Sequence, residues 1–263
     1  MRLAAPFLFA FLITGGLSHG AATGVESFAS GAQGWMGSSS FFSGTWSFTG
    51  GAARVKFMNL GDFPFPDTGT ISNMPSASSG SFTGNYDLAG ISVIGFRIMA
   101  PNVPPSGLVI LEWGGSTSIY QQGFTINSTG VWVTCTASIA DDAIAFWSPI
   151  EGSMDDFSAA RQSVRFVSIR ITRTGTLAHE FVVDDIFLAG QPSITTISTS
   201  NGTNFTLTGE GMVSNLFYHV ESAATVTGDW QTIQTWLATS HSQSRMVTNQ
   251  ELQQFWKLSI QGP

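Results

Sequence analysis

The residues of this chain that could do chemistry are a few carboxylates set among apolar and small side chains. The stretch HEFVVDDIFLAGQPS, residues 179–193, places two adjacent carboxylates, Asp184 and Asp185, inside the apolar run from Phe181 to Leu188. Successive side chains of a strand point to opposite faces. Whichever face this strand buries, one aspartate is expected to point towards it. A buried carboxylate without a partner is costly, so something must answer the charge. On the residues alone, one aspartate caps a loop or pairs with an arginine such as Arg165 or Arg170, and the other is solvated.

The spacing of the remaining carboxylates argues against catalysis. A retaining glycosidase needs two carboxyl groups about 5–5.5 Å apart. On a strand, residues i and i+2 share a face at about 6.5–7 Å. No Glu-x-Asp pair of that kind occurs, and Glu112 and Glu151 stand alone. Asp141–Asp142, Asp155–Asp156 and Asp184–Asp185 are adjacent pairs that a strand would split between faces. His179, His219 and His241 are scattered, no HExxH or GxxxxGK[ST] is present, and the GxSxG match at Gly16-Leu17-Ser18-His19-Gly20 falls in the N-terminal run that has a signal-peptide pattern. Cys135, the single cysteine, lies in VWVTCTASI on the parity of Val131 and Val133 and reads as a small buried hydrophobe. The chain is therefore expected not to be an enzyme, with a polysaccharide-active enzyme kept as an alternative.

A second kind of chemistry is stacking. Exposed aromatic rings can cover a sugar face while nearby polar groups bond its hydroxyls. LEWGGSTSIYQQ gathers Glu112, Trp113, Tyr120 and Gln121 around one hairpin, and FPFPD presents Phe63 and Phe65 between prolines that interrupt sheet pairing. These six residues are the candidate ligand-binding set. The competing role for each aromatic is core packing.

The elements that must position these residues are strands. Charged residues make up only 10% of the 263 residues, against about 25% in ordinary domains, and the formal charge is −7. An acidic chain without a basic stripe excludes nucleic acid as a partner. Arg2, the apolar run Leu3–Thr14 and the small residues Ser18, Gly20, Ala21 and Ala22 form a signal-peptide pattern. Residues 1–22 are expected to be removed, and no later run reaches the ~18 apolar residues of a membrane span. The location expected is secreted, extracellular or periplasmic.

Alternation marks strands at WSFTG, AARVKFM, ISVIGFRIMA, GLVILEWGG, GVWVTCTASI, VRFVSIRITRTG and EFVVDDIFL. In VRFVSIRIT, Arg165, Val167, Ile169 and Ile171 share one face, and Phe166, Ser168 and Arg170 the other. DDFSAARQS (155–163) can make a short helical turn with aspartate at its N-terminal end. Gly190 and Pro192 mark a boundary, beyond which SITTISTS, NFTLTG, LFYHVESA, DWQTIQTWLA and FWKLSI begin a new alternating set. The fold expected is all-β. Residues 23–190 form a jelly-roll β-sandwich, and residues 191–263 a smaller sandwich.

Two resemblances sharpen this. VESFASGAQGW (25–35), TISNMPSASSGSFTG, LEWGG, VWVTCTASI and FVVDDIFL (181–188) follow one another in an order that resembles laminin-B-like and carbohydrate-binding jelly-roll modules of secreted proteins. Such modules open on acidic residues before a Gly-Trp and close on a strand carrying Asp-Asp. This chain departs from them in having only Glu26 at the opening. The resemblance implies a structural Ca²⁺ tying the first and last strands, with Glu26 and Asp184 or Asp185 as carboxylate ligands and loop carbonyls completing the set. In the C-terminal part, Tyr218, Val220, Glu221, Ser222, Trp230, Phe255, Trp256 and Lys257 sit as in small fibronectin-type-III-like modules of bacterial secreted proteins. That similarity implies a spacer or attachment role. Together the residues and resemblances lead to a non-catalytic binding protein whose partner is a polysaccharide or a cell-surface component. The alternative is a structural or adhesive part of an envelope or matrix.

Overall fold

A computed structural model of the chain describes residues 24–39, 44–58, 67–101, 108–173, 178–190, 192–199, 204–212, 217–225, 227, 229–239, 242–248 and 255–260. The expected signal segment, and Phe63 and Phe65, lie outside the described residues. In chain order the first part holds β1 (Gly24–Glu26), β2 (Trp35–Ser39), β3 (Gly44–Phe48), β4 (Ala53–Phe57), β5 (Asp67–Asn73) and β6 (Ile91–Met99). There follow β7 (Leu108–Gly114), β8 (Ile119–Thr125), β9 (Val133–Ser138), β10 (Ser148–Glu151), the helical turn α1 (Phe157–Arg161), β11 (Phe166–Arg173) and β12 (His179–Gly190). Two antiparallel sheets result, ordered β3-β4-β12-β6-β9 with β1 also on β12, and β10-β8-β7-β11-β5-β2. This is the expected all-β jelly-roll sandwich.

Alternation explains which side chains meet between the sheets. Ile94, Phe96 and Ile98 of β6 face Val109, Leu111 and Trp113 of β7 and Val167, Ile169 and Ile171 of β11 in one buried core. Cys135 is in that core, and burial pushes its thiol up to about 12, as for a packed hydrophobe and unlike a nucleophile. The expected helical turn is present. Ser153 caps the 3₁₀ turn Met154–Asp156 that leads into it, its hydroxyl accepting from the Asp155 N–H at 3.2 Å while its own N–H donates to Asp156 Oδ2 at 3.2 Å.

β12 corrects the premise that a strand must bury one of two adjacent aspartates. Asp184 pairs with Arg97 and Phe187 with Gly95, so β12 advances three residues where β6 advances two. Asp185 sits in this bulge with φ of 45°, a left-handed conformation that aspartate tolerates better than most residues. The extra residue resets the alternation. Phe181 and Val183 before it, and Ile186 and Leu188 after it, all enter the jelly-roll core. Both aspartates stay half-buried.

The reset also turns Phe187 and Ala189 to the other side of the sheet, where they join a second core with Leu207, Tyr218, Val220 and Trp236. That core belongs to β13 (Ser193–Thr199), β14 (Asn204–Glu210), β15 (Phe217–Ala223), β16 (Gln231–Leu237), β17 (Gln243–Thr248) and β18 (Phe255–Ile260). They form two three-stranded sheets, β13-β14-β17 and β16-β15-β18. Gly95 makes the docking possible, because a Cβ there would lie 2.2 Å from the Phe187 ring. Gly95→Ala is therefore expected to lower stability by about 1–3 kcal/mol, measurable by urea denaturation, whereas Gly130→Ala, remote from this contact, should leave the docking of the C-terminal sheets unchanged.

Candidate functional site

The β7–β8 hairpin does bring the predicted residues together, in register: Glu112 opposite Gln121 and Trp113 opposite Tyr120. Strand parity then separates them. Trp113 and Tyr120 are fully buried, packed against each other with ring centroids 5.2 Å apart and against Phe157 at 5.1 and 4.9 Å. The Tyr120 hydroxyl donates to the Ser153 carbonyl at 2.8 Å. Their expected role as an exposed stacking surface is thereby corrected: a ring with no accessible face cannot cover a sugar. The parity that buries Val109 and Leu111 also buries Trp113.

Glu112 and Gln121 point to the opposite, outward face. There a continuous row of paired residues crosses the sheet: Ser148, Gln121, Glu112, Ser168, Ser72 and Met36. Arg170, one pair along, ties it together. Its guanidinium lies 2.8 Å from Glu112 Oε1 and donates to Gln121 Oε1 at 3.0 Å, while the Ser168 hydroxyl donates to Glu112 Oε2 at 2.9 Å. Thr70 and Ser38 continue the Arg170 row. Phe166 shares this face by parity and is half-buried opposite Gly114, whose Cβ position is filled by Ser118 and Ile119. Sequence reasoning missed Phe166 and Arg170 as members of the site. The signal was available in VRFVSIRIT, whose alternation separates Phe166, Ser168 and Arg170 from the apolar face.

The paired aspartates are answered differently from the expectation. Asp185 Oδ2 is 2.8 Å from Arg97 Nη1, and Arg97 also lies over the Trp132 ring at 4.8 Å. Arg165 is exposed and Arg170 belongs to the other sheet, so neither is the partner. Asp184 Oδ1 accepts from the Asp185 N–H at 2.8 Å. Its carboxyl is nevertheless pushed up to about 6, first by desolvation and further by the charges of Asp185 and Glu26. Glu26 is buried on β1, its Oε1 accepting from the Phe28 N–H and its Oε2 from the Ser78 hydroxyl, both at 2.5 Å. The Trp35 indole N–H donates to the same Ser78 oxygen at 3.0 Å. Phe28, Ser78 and Ser79 all have positive φ, so Glu26 fastens two tightly bent loops. Among the described residues no three His, Cys, Asp or Glu side chains converge as a metal cage.

A folded-state value above the ordinary 3.8 for Asp184 means stability that is fully present below that value and lost as pH rises through about 6. Ionised Asp184 therefore opposes folding at neutral pH. Asp184→Asn is expected to stabilise the protein by about 1 kcal/mol near pH 7, after discounting for its partial exposure. The gain should vanish near pH 4. Denaturant titrations at the two pH values check this.

No protein-family model matches this sequence, and no curated protein matches it. Partial likenesses occur among solved structures. A family 11 carbohydrate-binding module from Clostridium thermocellum, in complex with a β-1,3-1,4-mixed-linked tetrasaccharide, is 14% identical with a TM-score of 0.42, over 64% of this chain and 95% of that one. An agarase is 9% identical with a TM-score of 0.44, over 62% of this chain and 23% of its own. A β-1,2-glucanase from Parabacteroides distasonis is 9% identical with a TM-score of 0.36, over 92% of this chain and 38% of its own.

Proposed function

We propose that the chain is an exported, non-catalytic binding protein that holds a polysaccharide, free or on a cell surface, on the outward face of the β10-β8-β7-β11-β5-β2 sheet. The observation that carries this reading is the Arg170–Glu112–Gln121–Ser168 network. It fixes planar charged and amide groups in register on a face that also carries Ser148, Ser72, Thr70 and Ser38, with Met36, Ile110 and Phe166 as its apolar members. Groups held by one another lose little freedom on binding, which is what favours a hydroxyl-rich ligand over water. Gln121 uses its carbonyl oxygen in the network, so its NH₂ group is the half of the amide left to donate. Phe166 supplies an apolar ring for a sugar C–H face. Glu112 is committed to Arg170 and Ser168, which suits an orienting role better than proton transfer.

Affinity electrophoresis in mixed-linked β-1,3-1,4-glucan, agarose and β-1,2-glucan tests the proposal. Retardation by at least one polymer is expected, weakened about tenfold or more by Arg170→Ala, a loss of about 1.4 kcal/mol, with an unchanged circular dichroism spectrum. No retardation by these or by a wider glycan panel would sink the reading in favour of a structural or adhesive role.

Calcium at the junction of β1 and β12 is a further part of this proposal. What supports it is the half-buried Asp184, whose charge is disfavoured first by burial and then by Asp185 and Glu26, with Arg97 offsetting part of this. Asp184 and neighbouring backbone carbonyls would hold the ion, which would tie the first strand to the last. Added Ca²⁺ should raise the melting temperature of the wild type and not that of Asp184→Asn; equal melting in Ca²⁺ and EDTA would rule it out. The C-terminal sheets are proposed as a fibronectin-type-III-like spacer or attachment module.

A further inference from the structure

Where the C-terminal sheets meet the jelly roll there is a cavity of about 310 Å³. Its wall is rich in hydroxyls: Ser92 of β6, Thr136 and Ser138 of β9, and Ser259 of β18. Asp142 and Lys257 also line it, while Val93, Pro192 and Leu258 supply apolar surface. The volume is at the lower end of small-molecule sites, ~300–1,000 Å³, and equals the share of roughly ten liquid waters.

Charge and lining together indicate what chemistry fits. Lys257 is already answered within the protein, its Nζ 2.9 Å from Glu221 Oε2 and 4.7 Å from the centre of the Trp230 ring. The site therefore has no uncommitted cation with which to select an anion. What it offers is hydroxyls that both donate and accept, a carboxylate able to accept from adjacent hydroxyls, and an apolar flank.

We infer that this cavity is a second saccharide site, taking one or two neutral sugar units, distinct from the sheet face proposed above. Thr136, Ser138 and Ser259 would bond the sugar's hydroxyls, Asp142 would accept from a neighbouring pair, and the Val93–Pro192–Leu258 surface would meet the ring's C–H face. The two sites share no residue, so each can fail alone.

The test is amide NMR of the chain lacking its expected signal segment, titrated with glucose, galactose, mannose and cellobiose. At least one sugar should shift the amides of Thr136, Ser138 and Ser259 together along one saturation curve. Ser138→Trp, which fills the cavity from an exposed position, should weaken that response about tenfold or more. Asp142→Ala, also at an exposed position, should weaken it in the same direction and provides the test if Ser138→Trp does not fold. Arg170→Ala should leave it unchanged. The inference is overturned if none of the four sugars moves these amides, if the response survives both cavity variants, or if Arg170→Ala abolishes it.

Discussion

Trp113→Ala is expected to cost about 3–5 kcal/mol of folding stability, out of a total of about 5–15 kcal/mol for a typical domain. Trp113 has no exposed surface, and its indole meets Tyr120, Trp147 and Phe157 at centroid distances of 5.2, 5.9 and 5.1 Å. Truncation removes the centre of that aromatic group and leaves a void that three large rings cannot collapse to fill. Urea denaturation followed by circular dichroism measures the loss. Trp113→Phe should recover much of it, because most of the packed volume returns. Saccharide binding normalised to folded protein should be unaltered in both variants. A well-folded Trp113→Ala protein that had lost ligand binding would contradict the core assignment.

The second large effect concerns charge inside the sandwich. Arg173 is fully buried on β11, 3.8 Å from the carboxylate of the equally buried Asp67, with its guanidinium donating to the Met58 carbonyl at 2.6 Å and lying over the Phe57 ring at 5.3 Å. Breaking a buried pair by removing one member leaves an uncompensated charge, and costs about 3–5 kcal/mol. Arg173→Met is expected to lose that much, and Arg173→Met with Asp67→Asn to lose less than the single variant. The neighbouring His179 gives the cluster a pH signature. Its imidazole is held below the ordinary 6.5, first by burial and then by the positive charge of Arg173. The unfolded chain thus takes up a proton more readily than the folded one, so stability falls as pH drops below about 6.5. This opposes Asp184, whose effect grows more favourable on acidification. Replacing His179 with glutamine should flatten the acid limb of the stability profile, and an unaltered slope would assign it to other groups.

Much of the jelly roll was legible because its strands alternate cleanly. Val167, Ile169 and Ile171 face inward as VRFVSIRIT implies, and the LEWGGSTSIYQQ hairpin pairs the residues expected. β5 was missed because DTGTISN is mostly Gly, Thr and Ser, which buries well only between neighbours that a sequence does not identify. β17 in the C-terminal part was missed for a similar lack of apolar alternation. The aromatic half of the predicted site failed on a different point. Residues adjacent in a hairpin belong to opposite faces, so closeness in sequence placed Glu112 and Trp113 together while parity drove them apart. Arg97 could not be chosen over Arg165 or Arg170 as the partner of Asp185, because that pairing depends on β6 lying beside β12, a matter of sheet order. The change of phase at Asp185 was equally hidden, since a bulge is visible only against the partner strand.

That one-residue change of phase has a consequence for biogenesis. β12 is the last strand of the jelly roll and, through Phe187 and Ala189, also part of the floor on which the C-terminal sheets assemble. Chains emerge from the ribosome N-terminal end first, and domains fold as units. The jelly roll can therefore close before β13 to β18 are complete, and would present a finished apolar surface to strands arriving later. The C-terminal sheets, marginal in size by themselves, would then condense on a template already made. An interruption of synthesis after Gly190 would leave that surface uncovered and open to misassociation.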